Sequence, residues 1–201
     1  MKRYLIAVFL GGLLISGCAT ARLGTGPDVY SLKKYPAGTR VAVAKVADAR
    51  GSDSAGMIGG CGIKIKAKEL EALATNYLLD GMSRYFMTNI SQVENVSAET
   101  VPQLASENDA AYFVSARIAS LKMSSLDALL QPVEVSCDLD LKVYDRSGKE
   151  VLRKTFTGSY QERIGLSIVE KATGKLAERT VQNAVANLVK DTELQRLLKA
   201  E

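Results

Sequence analysis

The sequence predicts an α+β fold: a single mixed sheet of about five strands, with two long helices and one short helix packed on it. Three observations carry this reading. Val133, Val135, Cys137, Leu139, Leu141 and Val143 alternate with Glu134, Ser136, Asp138, Asp140 and Lys142, the period of a half-buried strand. Asp-Arg-Ser-Gly at 145–148 then turns the chain into a second run, 151–161, its hairpin partner. Two longer stretches, 68–88 and 167–190, repeat apolar residues at spacings of three and four instead.

The elements follow in order. Lys2 and Arg3 precede an apolar stretch at 4–15, which suits a secretory leader and is too short to span a bilayer. The stretch ends Ile15-Ser16-Gly17-Cys18. This resembles the lipobox of bacterial lipoproteins at all four positions. The resemblance implies that 1–17 is a signal peptide, cleaved after Gly17, and that Cys18 is the lipid-attachment residue. At about 0.8 kcal/mol per buried CH₂, two or three acyl chains hold far more firmly than one. Ala19, where an Asp would imply inner-membrane retention, implies the periplasmic face of the outer membrane in a Gram-negative source, and a lipid anchor on the cell membrane otherwise. The alternative is a buried cysteine, a common place for that residue.

Residues 18–38 read as a lipidated N-terminus and flexible tether, rich in Gly, Pro and polar residues, with a root-mean-square reach of about 25 Å. Residues 39–201 are long enough for one periplasmic domain. Within them, 40–48 is a nearly continuous apolar run, as for a strand covered on both faces. The Gly-rich stretch 51–62 lacks the spacing of either phosphate-binding glycine motif and reads as a surface loop. Ile63 and Ile65 alternate with Lys64 and Lys66 as in a short edge strand. The helix at 68–88 carries Leu70, Leu73, Tyr77, Gly81 and Tyr85, widened by Leu78, Met82 and Phe86. A short strand is expected at 93–97. Thr100 and Gln103 have capping-box spacing around Pro102, so a short helix runs to about 108. Residues 111–122 are strand-like. Ser167 and Glu170 form a second capping box, opening a helix with Val169, Ala172, Leu176, Thr180, Ala184 and Leu188 on one face. A last turn at 193–198 packs the C-terminus down.

With these elements in order, the chain resembles the YajG-type periplasmic lipoproteins. The stretches that carry the likeness are the lipobox, VAVAKVADARG, AAYFVSARIASLK, VEVSCDLDLKVYDRSGKEV and VQNAVANLVKDTELQRLL. More loosely, the pattern is similar to the anticodon-binding-like module of TolB N-terminal domains, the curli-pore lipoprotein, penicillin-binding-protein activator lipoproteins and ABC-type transport auxiliary lipoproteins. The resemblance implies an envelope accessory or assembly factor that binds proteins.

Composition narrows the chemistry. The 201 residues include no His, which excludes Ser-His-Asp and Cys-His catalysis and most zinc sites. With 26 basic against 22 acidic residues there is no electrostatic footprint for nucleic acid. Cys61 and Cys137 are either a disulfide or two small buried hydrophobes. Asp138 and Asp140 share one strand face and read as solvated rather than as an acid–base pair. No cofactor and no metal site are expected.

The expected function is a membrane-anchored, non-enzymatic accessory factor that binds an envelope protein complex. The alternative is a lipid- or small-ligand-handling auxiliary lipoprotein of an envelope transport system. Candidate contact residues are Arg50, Met57 and Ile58 in the Gly-rich loop, and Leu126, Leu129 and Leu130 between two strands. Those leucines could equally cap the core.

Overall fold

A computed structural model of the chain describes residues 18–21, 23, 26–27, 34–35, 38–52, 54–58, 63–67, 69–125, 132–163 and 169–199. Its centre is β7 (Tyr112–Ser125), a strand of 14 residues. On one edge β7 pairs antiparallel with β8 (Val133–Asp145), which pairs in turn with β9 (Glu150–Glu162). On its other edge lie three successive pieces of one passage of chain, all parallel to it. They are β2 (Arg40–Ala44) at Tyr112 to Val114, β3 (Ala47–Asp48) at Arg117 and Ile118, and β4 (Ser54–Ile58) from Met123 onward. Beyond this composite strand, β6 (Asn89–Val93) flanks β2 and β5 (Ile63–Ala67) flanks β4. β1 (Cys18–Ala21) closes that side, parallel to β5.

The mixed sheet and the α+β class are as the sequence predicts, with nine strands among the described residues rather than about five. The differences have local causes. Residues 54–58, expected as loop, are drawn into the sheet because the far half of the β7 edge needs hydrogen-bond partners. For the same reason β5 is no edge strand: β4 and β1 pair with its two sides. β6 ends at Val93, where the short strand was expected to begin.

The chain after β1 lies along the body rather than hanging free, as far as its described residues go. Leu23 packs against the main core. The ideal Cβ position of Gly26 falls 3.4 Å from the Asn76 side chain. The Tyr35 N–H donates to Asn89 Oδ1 at 2.9 Å, and Asn89 Nδ2 donates to the Tyr35 and Gly38 carbonyls at 2.6 and 3.1 Å.

Helices α1 (Leu70–Phe86) and α3 (Val169–Val189) cover one face. They meet at Gly81, where a Cβ would stand 2.8 Å from Val185 Cγ1. The predicted stripes are buried, Leu176, Thr180, Ala184 and Leu188 all fully, but Tyr85 is 60% exposed and lies off the buried side of α1. Among the described residues no helix is long and apolar enough to cross a membrane.

Helix α2 (Val101–Glu107) covers part of the opposite face, where Val101 packs with Ala42, Ala44, Phe113 and Tyr144. Its expected capping box is not formed. Thr100 has helical torsions and its hydroxyl accepts from the Ser97 N–H at 2.9 Å, while Gln103 turns to Glu107. The C-terminal turn is a helix, α4 (Thr192–Leu198), capped by Asp191 accepting from the Leu194 N–H.

α3 and β9 approach each other at Gly158. A Cβ there would fall 2.1 Å from the Thr180 carbonyl oxygen and 2.4 Å from the Ala184 nitrogen, both backbone atoms that cannot swing away. Beside it, Asn183 and Asn187 each donate a side-chain hydrogen bond of 2.8 Å, to the Ser159 and Thr157 carbonyls. A helical i, i+4 pair spans nearly the same distance as a strand i, i+2 pair, so both bonds form together. Gly158→Val is expected to cost about 3 kcal/mol or more, at or beyond the upper end for overpacking, because backbone must move. Urea-unfolding midpoints check this, with the slope unchanged.

Candidate functional site

Cys18 begins β1, and its place is fixed by register. Reading across the sheet, Cys18 aligns with Lys64, Lys64 with Met57, Met57 with Ser124, Ser124 with Glu134, and Glu134 with Gln161. Cys18 thus lies on one row with the ends of the β7, β8 and β9 strands. On that row, on the face not covered by α1 and α3, is a groove of about 690 Å³. It is lined by Lys122, Ser124, Glu134, Ser136, Ser159 and Gln161, with Val135 and Tyr160 at its floor. The groove mixes polar side chains with apolar surface and was not legible in the sequence, since its walls come from three strands whose pairing had first to be known.

Farther along the same face, the two aspartates are held by neighbours. Asp138 accepts from the Ser120 hydroxyl at 2.6 Å and the Thr157 hydroxyl at 2.7 Å. Asp140 accepts from the Thr155 hydroxyl at 2.6 Å and from Arg117 at 3.0 Å. The Ser120 and Thr157 hydroxyls hold the Asp138 carboxyl below its ordinary range. This is a cross-strand ladder in which each carboxylate has a donor on both sides. Its lone pairs are spent on the fold.

The predicted contact residues separate. The Arg50 side chain is only 4% exposed and grips Asp48, with Nε to Oδ1 at 2.8 Å and Nη2 to Oδ2 at 2.5 Å. Arg50 is therefore a structural ion-pair residue and not a contact loop residue. The guanidinium holds the Asp48 carboxyl below its usual range. The spacing of two in Asp-Ala-Arg was the available signal, because strand-like backbone puts such residues on one side. Met57 and Ile58 belong to β4, with backbone paired to both β5 and β7, rather than to a loop. Leu126, Leu129 and Leu130 lie outside the described residues.

Cys137 is a free thiol, 1% exposed, on β8 between Leu121 and Gly158. Burial first, and then the Asp138 charge, push its pKa up to about 12. Cys61 lies outside the described residues. Among the described residues no cluster of three metal-ligating side chains occurs.

No family model and no curated protein matches the sequence. Solved structures do match in fold. A Xanthomonas campestris protein of the DUF330 family is 14% identical, with a TM-score of 0.51 over 90% of this chain and 96% of that one. Lipoprotein GNA1162 from Neisseria meningitidis is 9% identical, with a TM-score of 0.41 over 74% and 99%. A minor lipoprotein from Acinetobacter baumannii is 11% identical, with a TM-score of 0.41 over 81% and 98%.

Two outcomes follow from this geometry. Because its folded pKa is depressed, Asp138 contributes stability that is full above about pH 4 and is lost as pH falls through the lower folded value. Asp138→Asn is expected to unfold at lower urea than wild type near about pH 7, with the gap closing at about pH 3. In a protein with Cys18 and Cys61 replaced by Ser, Cys137 is expected to ignore Ellman's reagent in the native state and to react on denaturation. Prompt native reaction would contradict its burial.

Proposed function

We propose that this protein is a bacterial lipoprotein, anchored through Cys18 to the periplasmic face of the outer membrane, that serves as a non-enzymatic accessory or assembly factor for an envelope protein complex. The observation that carries the reading is the sequence Ile15-Ser16-Gly17-Cys18 behind a charged start and a short apolar run. Three features support it. The fold is that of a single sheet with two covering helices, and offers strand ends and faces for docking. The absence of His removes the commonest acid–base group. The paired carboxylates, the best candidates for acid–base work, are engaged with hydroxyls and Arg117.

The groove favours a second reading, a lipid- or small-ligand-handling role. Its Lys122 and Glu134 could meet a polar headgroup beside the apolar surface of Val135 and Tyr160.

The test is native mass spectrometry of the lipidated protein, mildly crosslinked in its own membranes and gently extracted. A stoichiometric protein partner is the expected result. Bound lipid with no protein partner would move the assignment to the second reading. Cys18→Ser is expected to lose the acyl mass and sediment without membranes; a variant that stays membrane-bound would defeat the anchor.

A further inference from the structure

The described strand ends fall into two groups. One contains Cys18, the Ile58 and Ile63 ends of β4 and β5, the Ser125 and Val133 ends of β7 and β8, and the Glu162 end of β9. The other contains the starts of β2, β6 and β7 and the turn at 145–148. From Val133 to Asp145 the β8 strand separates them by about 40 Å, at roughly 3.4 Å per residue.

The anchor residue is itself the first residue of β1, with its Cα in register with Lys64. No linker intervenes between lipid and sheet. Described residues that follow are also held: Leu23 is packed on the core, Gly26 lies against Leu73 and Asn76, and Tyr35 and Gly38 are tied to Asn89 at the far group of ends.

We infer that the partner of the Cys18 end is the surface of the phospholipid bilayer: the row Cys18, Lys64, Met57, Ser124, Glu134, Gln161 lies against the headgroups, and the turn at 145–148 points away from them. This rests on lipidation of Cys18 as proposed above. The orientation is what the seated anchor demands. A lipid attached to a flexible tether lets a body tumble. A lipid attached to a residue hydrogen-bonded into the sheet brings that corner of the sheet down with it. The groove on the Cys18 row then opens beside the headgroups, and the α2 end of the sheet is left free for protein contact.

The chain contains no Trp, so single substitutions report without background. Ser124→Trp and Gln161→Trp place a probe at the Cys18 end, and Lys149→Trp places one at the far end; all three positions are exposed. The full lipidated variants are reconstituted into vesicles of phosphatidylethanolamine and phosphatidylglycerol doped with a headgroup-nitroxide lipid. Acyl mass and flotation are read first. The expected result is flotation, with quenching at 124 and 161 several-fold stronger than at 149; either of the two near probes suffices if the other variant does not fold. Flotation with equal or no quenching at both ends would mean a body held off on slack chain, and would overturn the inference while leaving the anchor intact. Stronger quenching at 149 would reverse the orientation. An unacylated protein that does not float would remove the anchor and the inference with it.

Discussion

A strand of 14 residues exposes two long rows of backbone donors and acceptors, and filling both rows of β7 is the constraint on which this fold depends. β8 fills one row along its whole length. The other is filled by a passage of chain that makes three contacts and two detours. The first detour and β3 are held by α1. The Val46 N–H, between β2 and β3, donates to the Thr75 hydroxyl at 2.9 Å, and the Asp48 N–H donates to Glu71 Oε1 at 3.0 Å. Glu71 and Thr75 are one helical turn apart, so the interrupted strand sets the position of α1 along the sheet. α1 then sets α3 through Gly81 and through the 2.8 Å bond from Tyr77 Oη to Glu178. Burial, followed by that Glu178 bond, pushes the Tyr77 hydroxyl up to about 12, keeping it a donor throughout the physiological range.

The polar face of β7, β8 and β9 shows how register converts a surface into structure. Asp138 and Asp140 are two residues apart on one strand and would repel if left to themselves. Pairing brings Ser120, Thr157, Thr155 and Arg117 to them, one donor from each side for each carboxylate. The bulge between Ile118 and Ser120 makes this possible, for without it β7 would present a different residue opposite Asp138. The result is a rigid, hydrated face whose charges are already answered.

What the sequence reveals here depends on whether an element's signal is internal to it. The β8–β9 hairpin has alternation and an Asp-x-x-Gly turn within its own residues, and α1 and α3 carry their apolar stripes, so these were legible almost to the residue. β1 and β4 carry no such pattern. Cys-Ala-Thr-Ala and Ser-Ala-Gly-Met-Ile become strands because an edge beside them needs partners, and strand preference is largely a matter of surroundings. The same holds at the candidate site. Cys18 stands out in the sequence because the resemblance to a lipobox is a local pattern. The groove and the row joining it to Cys18 were not, since they exist only once six strands are laid side by side. Arg50 was misjudged for a related reason: its place in a Gly-rich stretch suggested exposure, whereas the Asp48 carboxylate two residues earlier draws it inward.

The two asparagine bonds from α3 to β9 have a bearing on how copies of this protein behave when crowded together. Strand edges with vacant carbonyls are adhesive, and lateral confinement raises the frequency with which they meet. Asn183 and Asn187 occupy two such carbonyls, and the helix bearing them lies alongside. At those two positions the boundary is closed to a neighbouring strand. Crowding can raise the local density of these molecules while that stretch of the edge is already occupied.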